Sequence, residues 1–338
     1  MNKALVITSI AAPNPVLKKC AEGAKQHDFR FIVMGDVISP PDFYIDGCDF
    51  YQIDAQEKLP FKLSKILPKR HYGRKNLGYL VARNCELIIE TDDDNFPRDE
   101  FWSQRNRKAE AEVLHGKGWF NVYESFSKER IWPRGFPLEN IQEENAGQKT
   151  SARFKRNPLN KVSALCPIQQ GLADENPDVD AVYRMTMKLP LDFDKEDSLA
   201  LGSGTWCPFN SQNTTWFKEA FPLMYLPSYC SFRMTDIWRS FVAQRIAWTC
   251  DWNILFHNST VWQERNAHNL LKDFADEVPG YLNNTKICQD LENLDLKNGA
   301  DNLGENLLRC YKMLTEKKYV GMEEMNLVEA WVQDIFSK

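Results

Sequence analysis

The chain has 338 residues, 43% hydrophobic and 26% charged, with a net charge of −5. That length suits one large or two small soluble domains, and the acidic balance argues against nucleic acid as a partner. The nine cysteines are odd in number and form no CxxC pair, which speaks against a disulfide framework or zinc ribbon and for a reducing, cytoplasmic setting.

In chain order, the first hundred residues alternate between strand and helix patterns. "KALVITSI" (3–10) reads as a buried strand; its apolar patch is too short and too β-branched for a signal peptide. "PVLKKCAEGAKQH" (15–27) is a helix, "FRFIVMGD" (29–36) a second strand, and "FYQID" (50–54) a short third. "GRKNLGYLVARN" (73–84) is a helix with apolar residues at 77, 80 and 81, and "CELIIETDD" (85–93) is a fourth strand. Strands separated by helices of this length imply a parallel sheet with right-handed crossovers, whose ligands bind at the carboxyl ends of the strands. From 98 the periodicity weakens, and the polar stretch 140–158 is expected to be a surface loop. "SFRMTDIWRSFVAQRIAW" (231–248) is a helix, and amphipathic helical segments follow at 264–277, 286–296 and 304–336. No apolar run approaches the roughly 18 residues of a membrane span. The triplets at Asn213, Asn258 and Asn283 carry no meaning in a cytoplasmic chain.

The most informative stretch follows the fourth strand. The run Leu87-Ile88-Ile89 ends in Glu90, Thr91 and then Asp92, Asp93 and Asp94. Like charges this close are tolerable when solvated or when a divalent cation neutralises them. In an extended chain Asp92 and Asp94 face one side and Asp93 the other. Two hard carboxylates on one side make a half-site for Mn²⁺ or Mg²⁺, which leaves positions for substrate phosphates. The bland alternative is a solvated acidic turn in which Asp94-Asn95 caps the next helix. Lys69, Arg70, Arg74, Lys75 and Arg83 precede this strand and offer a basic face for a diphosphate, or a merely solvated one. Asp36, at the end of the second strand, would sit at the same carboxyl edge as the aspartate run. His71 and His115 read as surface residues.

"IIETDDDN" resembles the DxD motif of GT-A glycosyltransferases, which use a nucleotide-sugar donor and a divalent metal. The resemblance is to the STELLO-type glycosyltransferases and, more distantly, to the reversibly glycosylated polypeptides or UDP-arabinopyranose mutases. It continues through "WPRGFPLENI" (132–141), "QQGLADENPDVDAVYRMT" (169–186), "CPFNSQNT" (207–214) and "FPLMYLPSYCSFRMTDIWRSFVAQ" (221–244), covering roughly residues 1 to 270. It implies an α/β GT-A-type mixed sheet flanked by helices over residues 1–262, with a C-terminal helical extension over 263–338. It further implies Mn²⁺ or Mg²⁺ held by Asp92, Asp94 and a later histidine. His257 is that histidine, with His268 as its competitor and a core histidine as the plain alternative.

The donor would be a UDP-sugar, met by Asp36 at the uridine or ribose and by Lys75 and Arg83 at the diphosphate. Asp92 and Asp93 would stand beside that diphosphate, and Asp180 and Arg184 beside a sugar. Asp236 would deprotonate the acceptor hydroxyl, or else cap a helix or pair with Arg233 or Arg239. The amides of Asn210, Gln212 and Asn213 would read sugar hydroxyls or brace loops. The acceptor would be a glycan or lipid-linked glycan, reached from the cytoplasmic face of a membrane. Two rival readings are a UDP-sugar pyranose/furanose mutase and a non-catalytic glycosyltransferase-like scaffold.

Overall fold

The computed structural model describes residues 2–141, 160–264 and 269–337. The expected surface loop at 140–158 therefore falls almost wholly outside the described residues, as does His268. The first half carries β1 (Lys3–Thr8), α1 (Pro15–Gln26), β2 (Phe29–Met34), β3 (Cys48–Tyr51), α2 (Ile53–Glu57), α3 (Leu63–Ile66), α4 (Lys75–Ala82) and β4 (Leu87–Thr91). Next come β5 (Asn95–Pro97), β6 (Lys108–Leu114), β7 (Gly118–Trp119), β8 (Lys161–Leu165), β9 (Ile168–Asp174), α5 (Ala181–Thr186), β10 (Leu199–Leu201), β11 (Thr205–Trp206) and β12 (Asn213–Phe217). The chain closes with α6 (Thr235–Trp248), β13 (Ile254–Gln263), α7 (Leu270–Glu292), α8 (Leu303–Glu316) and α9 (Glu324–Ile335).

The main sheet has the order β3-β2-β1-β4-β12-β9-β13-β10-β6-β8, with β5 attached to β13. β3, β2, β1 and β4 are mutually parallel; β12 then runs antiparallel to both β4 and β9. The parallel sheet expected from the sequence is thus the first half of a mixed one. β1 lies at its centre, with Ala4 to Ile7 fully buried. Alternation sends Ala4 and Val6 into one hydrophobic layer and Leu5 and Ile7 into the other. α4 covers the first layer through Leu77 and Leu80, and α1 the second through Leu17, Cys20 and Ala24. α1 starts sharply because Asn14 accepts the Leu17 N–H and Pro15 sits at the first helical position.

This winding brings the carboxyl ends of β1, β2 and β4 and the starts of α1 and α4 to one edge. It also separates the two ends of α4, so Lys75 lies at that edge and Arg83 does not.

The helices after β13 share the layer that packs α4, β9 and α6: Ile287, Leu291, Leu307 and Trp331 belong to the same buried cluster as Leu77, Ile168 and Phe241. Trp331 is fully buried and donates its indole N–H to the Pro222 carbonyl at 2.9 Å. Burying a ring system of ~200 Å² contributes about 5 kcal/mol before entropy is charged against it. Asp334 accepts the N–H groups of Lys62 and Leu63 at the start of α3, at 3.0 and 2.8 Å. Where the sequence pattern suggested breaks within 264–296, α7 runs unbroken from Leu270 to Glu292 with Pro279 inside it. No helix among the described residues is long and apolar enough to cross a membrane.

Candidate active site

At the carboxyl edge lies a cavity of about 570 Å³. Asp36, Asp92, Asp93, Asp94, Asp178 and Asp236 line it, together with Arg70, His71, Arg74, Arg134, Arg184 and Arg233. The run Asp92–Asp94 does not continue the strand: the Asn95 N–H folds back to the Asp92 carbonyl at 3.3 Å. The expected alternation therefore fails, and all three carboxylates border the cavity.

Each aspartate is held from a different element. Asp92 Oδ1 accepts from the Tyr72 hydroxyl at 2.9 Å and from Lys75 Nζ at 3.1 Å. Asp93 accepts the Ser9 hydroxyl at the end of β1, and its backbone carbonyl takes Asn14 Nδ2 at 2.8 Å. Asp94 Oδ2 accepts Gln263 Nε2 at 2.8 Å from the end of β13. Burial raises the Asp93 carboxyl against the Ser9 hydrogen bond. Asp94 is pushed up to about 7, chiefly by burial and next by the neighbouring Asp92. Glu90, by contrast, is wholly buried behind the site and pairs with Arg239 at 2.8 Å.

The cluster carries more negative charge than the described cations beside it offset, and its donors are hard oxygens. Both facts suit a divalent cation. Among the described residues no three His, Cys, Asp or Glu side chains are arranged to hold one alone. Such a site fits an ion that keeps one or two carboxylates and fills its shell with water and substrate oxygens, as Mg²⁺ does.

Several expectations need correcting. Lys75 lies behind the cavity and not among its lining residues: its fully buried ammonium is engaged by Thr91 O at 2.7 Å, the Tyr72 hydroxyl at 2.8 Å and Asp92. It neutralises the acid turn rather than facing a diphosphate. Arg83 lies about 12 Å further along α4, at 1.5 Å per residue. Its guanidinium stacks 4.9 Å over the Phe61 ring, away from the cavity.

Asp180 is the N-cap of α5, accepting Tyr183 N–H at 2.7 Å and Trp132 Nε1–H at 2.8 Å. Complete burial raises it to about 7, and it does not line the cavity. His257 is buried, its Nδ1 lies 2.9 Å from the Asn258 carbonyl, and burial followed by Arg105 lowers it to about 3. It pairs with Gly171 on β9 just before a bulge in β13, beside Asn213, and it is not among the residues that line the cavity. His71 is not a surface residue: it lines the cavity, where burial lowers its pKa against the pull of Asp36. His115 is exposed, as expected.

Asp36 and Arg184 do line the cavity. Asp36 is braced by the N–H groups of Val37 at 2.6 Å and His71 at 3.1 Å. Arg184 donates to the Pro177 carbonyl at 2.8 Å. Of the three amides, Gln212 lines the cavity; Asn210 and Asn213 brace it, with Asn213 Nδ2 donating to Leu172 O and Thr260 Oγ1, both at 2.9 Å.

Asp236 stands in the first turn of α6 and lines the cavity, but neither expected arginine holds it. Arg233 pairs with Glu277 and Arg239 with Glu90. Its partner is Arg134, whose Nη2 lies 3.0 Å from both carboxylate oxygens, while the Ser211 N–H donates at 3.2 Å. The same guanidinium grips Asp178 with Nε to Oδ1 and Nη2 to Oδ2, both at 2.8 Å. Burial opposes ionisation of Asp236, yet Arg134 overrides it and holds the carboxyl well below its usual range. Gly135 lets the loop approach: at φ +88° its missing Cβ would fall 2.4 Å from Ile237 Cγ2 on α6. Arg134, Asp178, Tyr72 and Gln263 escaped the sequence reading. "WPRGFP" and "NPDVD" contain the first two, and the reading settled on Asp180, two residues beyond the one that faces the cavity.

The fold is a mixed α/β sheet flanked by helices, with an acid turn at the carboxyl edge of its parallel half. A family model described as STELLO glycosyltransferases matches residues 233–337. The chain is 26% identical to "Probable glycosyltransferase STELLO2" of Arabidopsis thaliana over an alignment of 354 residues, covering 98% of this chain and 44% of that protein. To "Probable glycosyltransferase STELLO1" of the same plant it is 25% identical, covering 99% and 44%. The resemblance to STELLO glycosyltransferases thus runs the whole length of the chain. It reaches past the limit near 270 drawn from the motifs, and the family model lies largely on the helices beyond it. The chain spans less than half the length of these relatives. Among solved structures, M. tuberculosis glucosyl-3-phosphoglycerate synthase overlays with a TM-score of 0.39 at 10% identity, covering 83% of this chain and 80% of that one.

Proposed function

We propose that this chain forms the catalytic unit of a metal-dependent glycosyltransferase that moves a sugar from a UDP-sugar to a glycan. The observation that carries the reading is the acid turn Asp92–Asp94, opening on a large cavity at the carboxyl edge of parallel strands and faced by arginines. Asp92 and Asp94 are the residues to hold Mn²⁺ or Mg²⁺ together with donor phosphate oxygens. When bound, the ion supplies charge stabilisation to the departing diphosphate. Lys75 and Tyr72 keep Asp92 in place for this, and Gln263 does the same for Asp94. Arg70, exposed on the rim beside Asp36, adds positive charge where the diphosphate develops its own.

Asp236 is the base on the acceptor side. Held as a carboxylate by Arg134, it is weak, so it takes the proton only as the new glycosidic bond acidifies the attacking hydroxyl. The deciding experiment is calorimetric titration of UDP with Mn²⁺, with EDTA, and into Asp92→Ala/Asp94→Ala. Binding that needs the ion and disappears in the double variant is the expected result. A folded protein that ignores UDP, GDP, CDP and dTDP alike under all conditions would overturn the proposal.

A further inference from the structure

The cavity wall beside Tyr72 has a chemistry of its own. Phe232 lines the cavity and yet keeps 55% of its surface exposed. Its ring is not loose: it meets Tyr72 at 6.0 Å and His71 at 6.1 Å, both near perpendicular at 71° and 73°. The short turn that carries it is fastened on either side. Arg233 pairs with the buried Glu277 at 2.8 Å, and the Arg233 carbonyl accepts from Arg134. Beyond Arg134 lies Asp178, gripped through two parallel bonds of 2.8 Å and again through its carbonyl, which takes the Arg134 N–H at 2.9 Å.

From this arrangement we infer a pyranose-binding subsite formed by Phe232 and the carboxylate of Asp178, seating the acceptor sugar; the inference rests on the transferase reading above. A rigid aromatic face packs against the C–H face of a sugar ring. Each Asp178 oxygen accepts from Arg134 and retains a further lone pair, which gives a fixed pair of acceptors matched to neighbouring hydroxyls. Asp236, held by the same Arg134 guanidinium as Asp178, stands beside this subsite.

The test is ligand-observed NMR of the whole chain with Mg²⁺ and UDP, using methyl α- and β-pyranosides of glucose, galactose, mannose and xylose as probes. Phe232→Ala is the primary variant, since an exposed ring can be removed without opening the core; Asp178→Asn is the second. At least one pyranoside is expected to bind, and its dissociation constant to rise about fivefold or more in Phe232→Ala. UDP affinity stays within twofold of the parent in that variant. If no pyranoside binds while UDP does, or if both variants hold the sugar as tightly as the parent, the subsite is refuted. Absence of UDP binding in the parent chain would instead sink the transferase reading, and pyranoside binding would then stand or fall by Phe232→Ala alone.

Discussion

Replacing Arg134 by Met removes the cation that two buried carboxylates share. Asp178 and Asp236 are 12% and 9% exposed, and Arg134 contacts both at 2.8–3.0 Å. Removing one member of such a buried cluster costs about 3–5 kcal/mol, because the surviving charges lose their partner. For a chain of this size that is a fall in Tm of about 4–7 °C. The pH dependence separates this cause from simple loss of packing. In the parent, Asp236 is held down at about 2, so its contribution is complete above pH ~4 and is lost as the pH falls through about 2. In Arg134→Met the sign reverses: burial, no longer opposed by that guanidinium, raises the Asp236 carboxyl, and its ionised form destabilises the fold as pH rises. Scanning calorimetry at pH 5, 6, 7 and 8 should show a gap between parent and variant that is widest at pH 8 and narrows toward pH 5. Arg134→Met/Asp178→Asn, with one orphaned charge removed, should recover part of the loss at pH 8. A gap that is constant with pH, or a double variant no more stable than the single, would refute the electrostatic account.

Gly135→Ala places a Cβ 2.4 Å from Ile237 Cγ2 and 3.3 Å from Pro208 Cβ at a φ of +88°, so it combines strain with overpacking. A loss of about 2–4 kcal/mol in denaturant midpoint measurements is expected, and an unchanged midpoint would contradict the close approach of this loop to α6. Asp180 carries its proton to about pH 7 in the folded chain, so its contribution is greatest below pH ~4 and is lost as pH rises through 7. Asp180→Asn keeps a side-chain oxygen for the helix cap and removes the titration. Its Tm should fall less between pH 5 and pH 8 than that of the parent, and equal slopes would show that Asp180 is not the group responsible.

The alternating half of the fold was legible because each strand and helix there announces itself locally. Lys3–Thr8, Phe29–Met34 and Leu87–Thr91 are short, β-branched runs buried on both faces, and Asn14-Pro15 marks the start of α1 without help from any distant residue. The acid turn was legible for the same reason, since Asp92–Asp94 directly follow a buried strand. Its internal geometry was not. The alternation rule presumes an extended chain, and the Asp92–Asn95 turn cancels it. The assignment of Arg83 failed on direction: only the run of α4 away from the edge shows that its far end cannot reach the cavity. His257 lies next to Asn213 but outside the cavity lining, behind a bulge in β13 that no local pattern encodes.

By itself, the sequence determined the parallel βα half, the position of its carboxylates at a strand end, and the resemblance to a family. Those depend on periodicity, capping and neighbours in the chain, all of them local properties. Tertiary structure alone decided which charges face one another. Arg134 meets Asp236 across 102 residues, Gln263 meets Asp94 across 169, and Asp334 caps α3 across 271. A charged side chain has no preference among distant partners until the sheet order and the packed helices have brought one of them within hydrogen-bond reach.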